Sequence, residues 1–536
     1  MRIKRLMAAL GAAGLLVAAA TIATTIPAAA EMVLHRGNGT EPESLDPHKA
    51  TGVPEAFIIN DILEGLATLS AKGEPVPGVA ESWEISDDGT TYTFHLRADA
   101  KWSNGDPVTA EDFVYSFRRA VDPATAAEYA PVLGVITNAE AITAGEEKDV
   151  SKLGVEAVDP RTLKITLKSS TPYFLGLLTH QISFPVHKAT VEKHGDQWTR
   201  PGNSVGNGAY TITEWTPQSR VILEKNPNFH DAANVKIDKV VYYPTEDTGE
   251  ELKRFRAGEL DVTYDAPSDQ IDWIEQNLPN QFHNTAYLGT YYYVVNLTRE
   301  PLGKSLQLRR ALAMAIDRDI LTEKITQAGE FPAYAWVPPG IPGYELQSVD
   351  FKAMTQPERD AAAKKLFDEA GYGPNNPLKI ELLYNTSENH KKIAIAVAGM
   401  WKQKLGAVDV SLVNQEWKVY LDTRDKKNFE VARAAWIGDY PDAVNFLDLF
   451  LSAAGERNDA GYNNPKYDEL LATAAKTSDS KERAKVLEEA ERMFLADMPL
   501  IPIYHYTTQH LINDRVAGWE DNILDMHLTR YLSIKG

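Results

Sequence analysis

Phe429, Val431, Arg433 and Ala435 alternate with Glu430, Ala432, Ala434 and Trp436, the two-residue period of a β-strand, and Gly438 and Pro441 mark where that strand stops. The spacing puts Asp439 at the strand end, beside Trp436 and Tyr440, with Arg433 on the approaching strand. An acid in that place can hold a cation against an apolar wall, or simply start a turn while the indole fills a core.

The same pattern orders the rest of the chain. Short apolar or alternating runs predict strands at 33–36, 163–167, 209–213, 221–224, 240–243 and 260–264, and a hairpin joins 83–85 to 91–96 around Asp87-Asp88-Gly89. Apolar positions Ile58, Ile59, Ile62, Leu63 and Leu66 place a helix and a strand within 56–69. Thr109 and Asp112 form a capping box that starts a helix over 113–120, because hydroxyl and acid each satisfy an otherwise orphaned amide. A helix over 249–257 follows. Residues 64–187 thus read as one compact inserted block.

From Gly289 the character changes. The run Thr290-Tyr291-Tyr292-Tyr293-Val294-Val295-Asn296 predicts an aromatic strand, and Leu308, Ala311, Leu312 and Ala315 share one face of a helix over 306–316. Thr355 caps a helix that stops at Gly371, and Ser387 caps another that ends at Gly406, which sets His390 in a first turn, where free amides and the helix dipole favour an anion. Strands at 380–384 and 408–413 alternate with these helices and with two more at 467–475 and 481–495, which lead to the run Ile501 to Tyr506. That alternation predicts an α/β domain.

Composition narrows the destination. Arg2, Lys4 and Arg5, an uncharged apolar run over 8–22 and the small residues Ala28-Ala29-Ala30 read as an export signal cleaved after Ala30. No further apolar run is long enough to span a bilayer. The chain has no cysteine, which excludes disulfides, a lipid-anchored lipoprotein, a cysteine nucleophile and cysteine metal sites. The remaining roughly 500 residues suffice for two or three cores. A formal charge of −20 would repel nucleic acid and anionic membrane surfaces. The twelve histidines are scattered, with no H-E-x-x-H or calcium-loop spacing, and no phosphate loop appears, so no cofactor or metal is expected. Gly202-Asn203-Ser204-Val205-Gly206 matches the G-x-S-x-G nucleophile elbow. That motif needs a strand before the serine and a helix after it, whereas here Arg200-Pro201 precedes and an alternating strand follows. A periplasmic peptidase or esterase built on Ser204 is accordingly the weaker reading.

The sequence over nearly its whole length resembles the bacterial periplasmic oligopeptide-binding proteins, the solute receptors of peptide ABC importers. The resemblance is carried by Asn414-Gln415-Glu416-Trp417, Leu421-Asp422-Thr423-Arg424, Val431 to Trp436 and Asp439-Tyr440. It extends to Ser44 to Lys49, Trp102-Ser103-Asn104-Gly105, Asp112 to Ser116, Gly208-Ala209-Tyr210, Thr290 to Tyr293, and Leu382 to Ser387 ahead of His390. It implies an α/β fold of the type II periplasmic binding protein kind, two lobes with an extra inserted domain. Domain I would comprise 31–63, 188–289 and 508–536, domain II 64–187 and domain III 290–507.

The resemblance further implies a monomeric, non-enzymatic periplasmic receptor that closes on short extended peptides and delivers them to an inner-membrane ABC permease. A specialised receptor for murein peptides, or for another single ligand, is the alternative. Asp439 falls where the family binds the peptide's amino group, and Arg433, Arg424 and His390 fall where it binds the carboxylate. Tyr129, Trp417, Trp436 and Tyr506 match positions that line side-chain pockets. Val53, Ala435 and Ile437 match positions whose backbone pairs with the ligand.

Overall fold

The computed structural model describes residues 31–477 and 479–535, without the side chains of Trp417 and Lys418, so the expected export signal lies outside the described residues. β1 (Val33–Gly37) opens the chain and is followed by a helix, Val53–Ile62, with Pro54 in its first turn. A small pair, β2 (Ala67–Leu69) and β3 (Pro75–Pro77), leads to β4 (Ala80–Ile85) and β5 (Thr91–Leu96), joined by the expected hairpin. With β6 (Val155–Asp159) and β7 (Thr162–Thr166) these form an antiparallel sheet in the order β4-β5-β7-β6. The capping box forms as the sequence predicts: Thr109 and Asp112 start the helix Ala110–Val121.

β8 (Tyr210–Thr216), β9 (Arg220–Lys225) and β10 (Lys239–Tyr243) then return to β1, in the order β1-β10-β9-β8, with β1 parallel to β10. The strand expected at 260–264 does not form. Val262 makes single bridges to Arg36 and Ile512, and the Asp261 carboxylate instead accepts from the His35 amide at 2.9 Å and from Arg515. A side chain has taken hydrogen bonds that a ladder would have used.

The largest sheet has six strands: β11 (Phe282–Val295), β12 (Phe331–Pro332), β13 (Leu378–Asn385), β14 (Val408–Gln415), β15 (Val431–Ile437) and β16 (Leu500–Leu511), in the order β12-β16-β11-β15-β13-β14. Helices pack on it. Leu308, Ala311 and Leu312 of the helix Leu306–Met314 are buried there, each leucine worth about 1.5–3 kcal/mol. Because β15 is central and covered on both sides, Val431 to Ala434 are all buried, and the simple in-and-out alternation read from the sequence is lost. β11 and β16 pair along almost their whole length, with a break in register between Ala286 and Thr290.

β17 (Val516–Ala517) and β18 (Ser533–Ile534) lie in the tail, which folds back on the first sheet and the first helix. Thr529 binds the buried Asp61 through its amide at 3.1 Å and its hydroxyl at 2.6 Å. Arg36 donates to the His527 carbonyl at 2.9 Å, and Arg530 pairs with Glu64. One buried cluster covers the six-stranded sheet, and another runs from Leu34 and Tyr210 of the first sheet through Phe94, Phe113 and Leu163 of the 64–187 block. Among the described residues no helix is long and apolar enough to cross a membrane.

Candidate functional site

β15 is paired with β11 from Val431 to Ile437, but with β13 only at Val431 and Ala432. The Gly438 amide donates to Leu288 O at 2.6 Å, and Glu430 O accepts from the Asn296 amide at 3.0 Å, so the even-numbered residues turn their backbone polar groups toward β11. Those of Arg433, Ala435 and Ile437 therefore face the other way. The Arg433 carbonyl accepts from the Tyr420 hydroxyl, and beyond it Ala435 and Ile437 meet no partner strand on that edge among the described residues. Arg433 and Ile437 lie four residues apart, about 13 Å along an extended chain.

Asp439 sits just past the end of this edge, its side chain 11% exposed. Asn445 organises the turn: its Oδ1 accepts from the Trp436 indole at 3.0 Å and the Asp439 amide at 3.1 Å, while its Nδ2 donates to Asp439 Oδ2 at 3.2 Å. His180 Nε2 lies 3.9 Å from the other carboxylate oxygen. The Ile182 amide donates to His180 Nδ1 at 3.2 Å, which puts the proton of the neutral ring on Nε2, facing Asp439. Burial lowers the His180 pKa despite the nearby acid, so this neighbour supplies a proton without a full positive charge. Burial likewise raises the Asp439 pKa. Tyr129 stacks on His180 at 4.9 Å, and burial together with the Asp439 charge raises its hydroxyl pKa. Arg457 acts on Asp439 from farther away while pairing Asp448 at 3.5 Å.

At the other end of the edge Arg433 is 8% exposed. Its hydrogen-bond partners are neutral: Nη2 donates to Tyr506 OH at 3.0 Å and Nη1 to Asn385 Oδ1 at 3.2 Å, with the Tyr291 ring 4.8 Å away. Among the described residues, Arg433 Nε, His390 Nδ1 and the Tyr291 hydroxyl are buried without a hydrogen-bond partner. His390 lies 5.6 Å from Tyr291, its amide held by the Ser387 cap, and burial with the charge of Arg433 pushes its pKa down to about 3. It is a neutral ring beside a lone guanidinium.

The sequence-predicted residues thus fall into two groups: Asp439 with Trp436 and Tyr129, and Arg433 with Tyr506 and His390. Arg424 differs from Arg433, because it is already paired with the buried Asp459, Nε at 3.0 Å. Val53 is the first residue of the helix Val53–Ile62, half-buried against the second core, and belongs to neither group. Trp417 begins the helix Trp417–Asp425, but its side chain lies outside the described residues. Sequence reasoning missed His180, Asn445, Asn385 and Asp459, single polar residues whose roles depend on segments far away in the chain. Tyr291 stood in the aromatic strand and was visible. Ser204 is flanked by turns, with neither a strand before it nor a helix after it.

The geometry offers one candidate site: a sheet edge bounded by a buried carboxyl at one end and a buried guanidinium at the other. Residues 74–458 match the bacterial extracellular solute-binding proteins, family 5, middle region, and the chain belongs to this family. It is 42% identical over 526 residues to the periplasmic oligopeptide-binding protein OppA of Escherichia coli K12, covering 97% of this chain and 96% of that one. The structure of the Escherichia coli murein tripeptide-binding protein MppA superposes with a TM-score of 0.85 at 43% identity, over 94% of this chain and 99% of that one. The unliganded open form of MppA gives 0.79 at the same identity, over 94% and 98%.

Proposed function

We propose that this chain is a non-enzymatic periplasmic receptor that binds short peptides in extended form and delivers them to an inner-membrane ABC permease. The observation that carries the reading is the pair of buried, uncompensated charges bracketing the unpaired edge of β15. A peptide laid there adds a strand to β15 through groups every residue possesses, so binding is indifferent to sequence. Its ammonium pairs with Asp439 and its carboxylate with Arg433, each partner relieving the desolvation of the other. Tyr129, Trp417, Trp436 and Tyr506 border the side chains. His390 and Arg424 serve peptides of other lengths, Arg424 only where the ligand competes with Asp459.

The chain acts as a monomer with its signal removed after Ala30. Its domains are 31–63 with 188–289 and 508–536, then 64–187, then 290–507. The register break in β11 between Ala286 and Thr290 supports a hinge at the boundary near 289. Contacts of Tyr173 and His180 with the 439–442 turn, with Tyr129 stacked on His180, support closure of the 64–187 block on the site. The lower TM-score against the open form, at equal identity, supports the same reading.

Similarity to a murein tripeptide-binding protein favours one second reading, a receptor for cell-wall peptides. Mass spectrometry of ligand released from protein purified from its native periplasm separates the two. A ladder of mixed peptides is expected; a single muropeptide mass would establish the specialised reading, and the absence of any peptide would overturn both.

A further inference from the structure

We propose that His510, Asp525 and His527 form a site for a divalent first-row transition ion of the zinc class. The sequence gives no hint of it, since the residues follow no ligand spacing. The fold brings them together where β16 meets the C-terminal tail, and all three are buried, at 5%, 6% and 7% exposure.

The donors already converge. His510 Nε2 lies 2.8 Å and His527 Nε2 3.1 Å from the same oxygen, Asp525 Oδ1, and the three ligand atoms lie within 4.8 Å of one another. A tetrahedral zinc with bonds of about 2.0–2.1 Å sets its ligand atoms roughly 3.3 Å apart, so the two nitrogen–oxygen separations need to open by only a few tenths of an ångström. The two imidazoles stand nearly perpendicular, 80° apart with centroids at 5.9 Å, and so present two nitrogens to one point instead of stacking.

Tautomer chemistry sharpens the case. His510 Nδ1 lies 3.0 Å from the Thr263 carbonyl, which can only accept, so Nδ1 carries a proton. A neutral His510 then aims the Nε2 lone pair at a carboxylate oxygen, an arrangement that requires a cation between them: a second proton or a metal. A backbone carbonyl holding Nδ1–H while Nε2 points inward is the outer-shell device that orients metal-bound histidines. Trp519 stacks on His527 at 3.7 Å and 20°, which fixes the second ring.

Asp265 and Glu251 both act electrostatically on His510, although burial favours their neutral forms. Asp521 also acts on His527 while binding His283. Arg36 opposes with a fixed positive charge, its guanidinium donating to the His527 carbonyl. The competitor is the proton, because an imidazole must have its ligand nitrogen free of a proton to bind metal. Metal binding must displace that proton, so affinity rises with pH. Two imidazoles and one carboxylate select borderline ions of this class over calcium or magnesium, and water would complete the tetrahedron.

The test uses the full chain freed of metal by chelator and titrated calorimetrically with Zn²⁺ at pH 6 and pH 8. One Zn²⁺ per chain is expected, bound at least tenfold more tightly at pH 8. Co²⁺ should give the intense visible absorption of a four-coordinate site. His527→Gln keeps an N–H donor for Asp525 while removing the ligand nitrogen, and should weaken Zn²⁺ at least tenfold. Absence of stoichiometric uptake by the unmodified protein, or equal affinity in the variant, overturns the proposal. Should the variant not fold, X-ray absorption at the zinc edge of the unmodified protein decides: two imidazole nitrogens are expected, and a shell with fewer overturns the site.

Discussion

Asp439 and Arg433 pose one electrostatic problem with opposite signs. Each is held in a poorly solvated place by neutral partners, Asn445 and His180 on one side, Asn385 and Tyr506 on the other. Asp439→Asn keeps the shape of the turn and removes the charge. Affinity for an unmodified tetrapeptide should fall more than tenfold in titration calorimetry, with the thermal unfolding midpoint nearly unchanged. Acetylating the peptide's amino group should cost the unmodified protein a similar factor and the variant almost nothing. Equal losses in both proteins would remove Asp439 from the amine site. Because burial raises the Asp439 pKa above 3.8, acidification protonates it sooner than an exposed aspartate. Peptide affinity should therefore weaken as pH falls, at a higher pH than an exposed aspartate would give, and Asp439→Asn should flatten that part of the profile. The residue identities at this scale were legible because the run from Arg424 to Tyr440 resembles a known family. Asp459 was not, since nothing local in the sequence says that it neutralises Arg424.

At the scale of elements, periodicity and capping chemistry located most helices and strands correctly, because Thr109, Thr355 and Ser387 act on amides within three residues of themselves. What sequence could not supply were partners across long separations: which edge of β15 stays unpaired, or why residues 260–264 form bridges and no strand. Gly206 of the supposed nucleophile motif and Gly208 just beyond it illustrate the difference. A Cβ on Gly206 would lie 2.2 Å from the Ile62 carbonyl oxygen, and one on Gly208 would lie 2.5–2.6 Å from backbone atoms of Asp61, Ile62 and Leu63. Gly208 also donates its amide to Ile62 O at 3.0 Å. The motif resembled an elbow because close backbone passage at Gly206 and a left-handed φ of +84° at Gly202 also favour glycine. Gly208→Ala must move main chain and should destabilise the protein by about 2–4 kcal/mol, measured by chemical unfolding. A change within 0.5 kcal/mol would show that the crossing has slack.

At the scale of the whole molecule, the 64–187 block meets the 439–442 turn through Tyr173, which stacks on Tyr440 at 5.2 Å and 3°, with Arg483 5.1 Å from its ring and paired to Asp442 at 2.7 Å. Such a pair is worth about 0.5–1.5 kcal/mol, so on the closing-receptor reading Tyr173→Ala should weaken peptide binding about 2- to 10-fold. Small-angle scattering should show the ligand-free variant more expanded than the unmodified protein at equal concentration; identical profiles and identical affinities would deny the stacking any part in closure. The tail carries a different consequence. Arg36 bonds the His527 carbonyl across 491 positions, and Asp61 and Glu64 wait for Thr529 and Arg530 across 468 and 466. A ribosome adding about 5–20 residues each second leaves those early residues without their native partners for roughly half a minute or longer. The first sheet and first helix cannot be sealed while the chain is still growing. On the exported-receptor reading, synthesis order would act as a timer that keeps the nascent polypeptide loose enough to be threaded through a translocon before it locks.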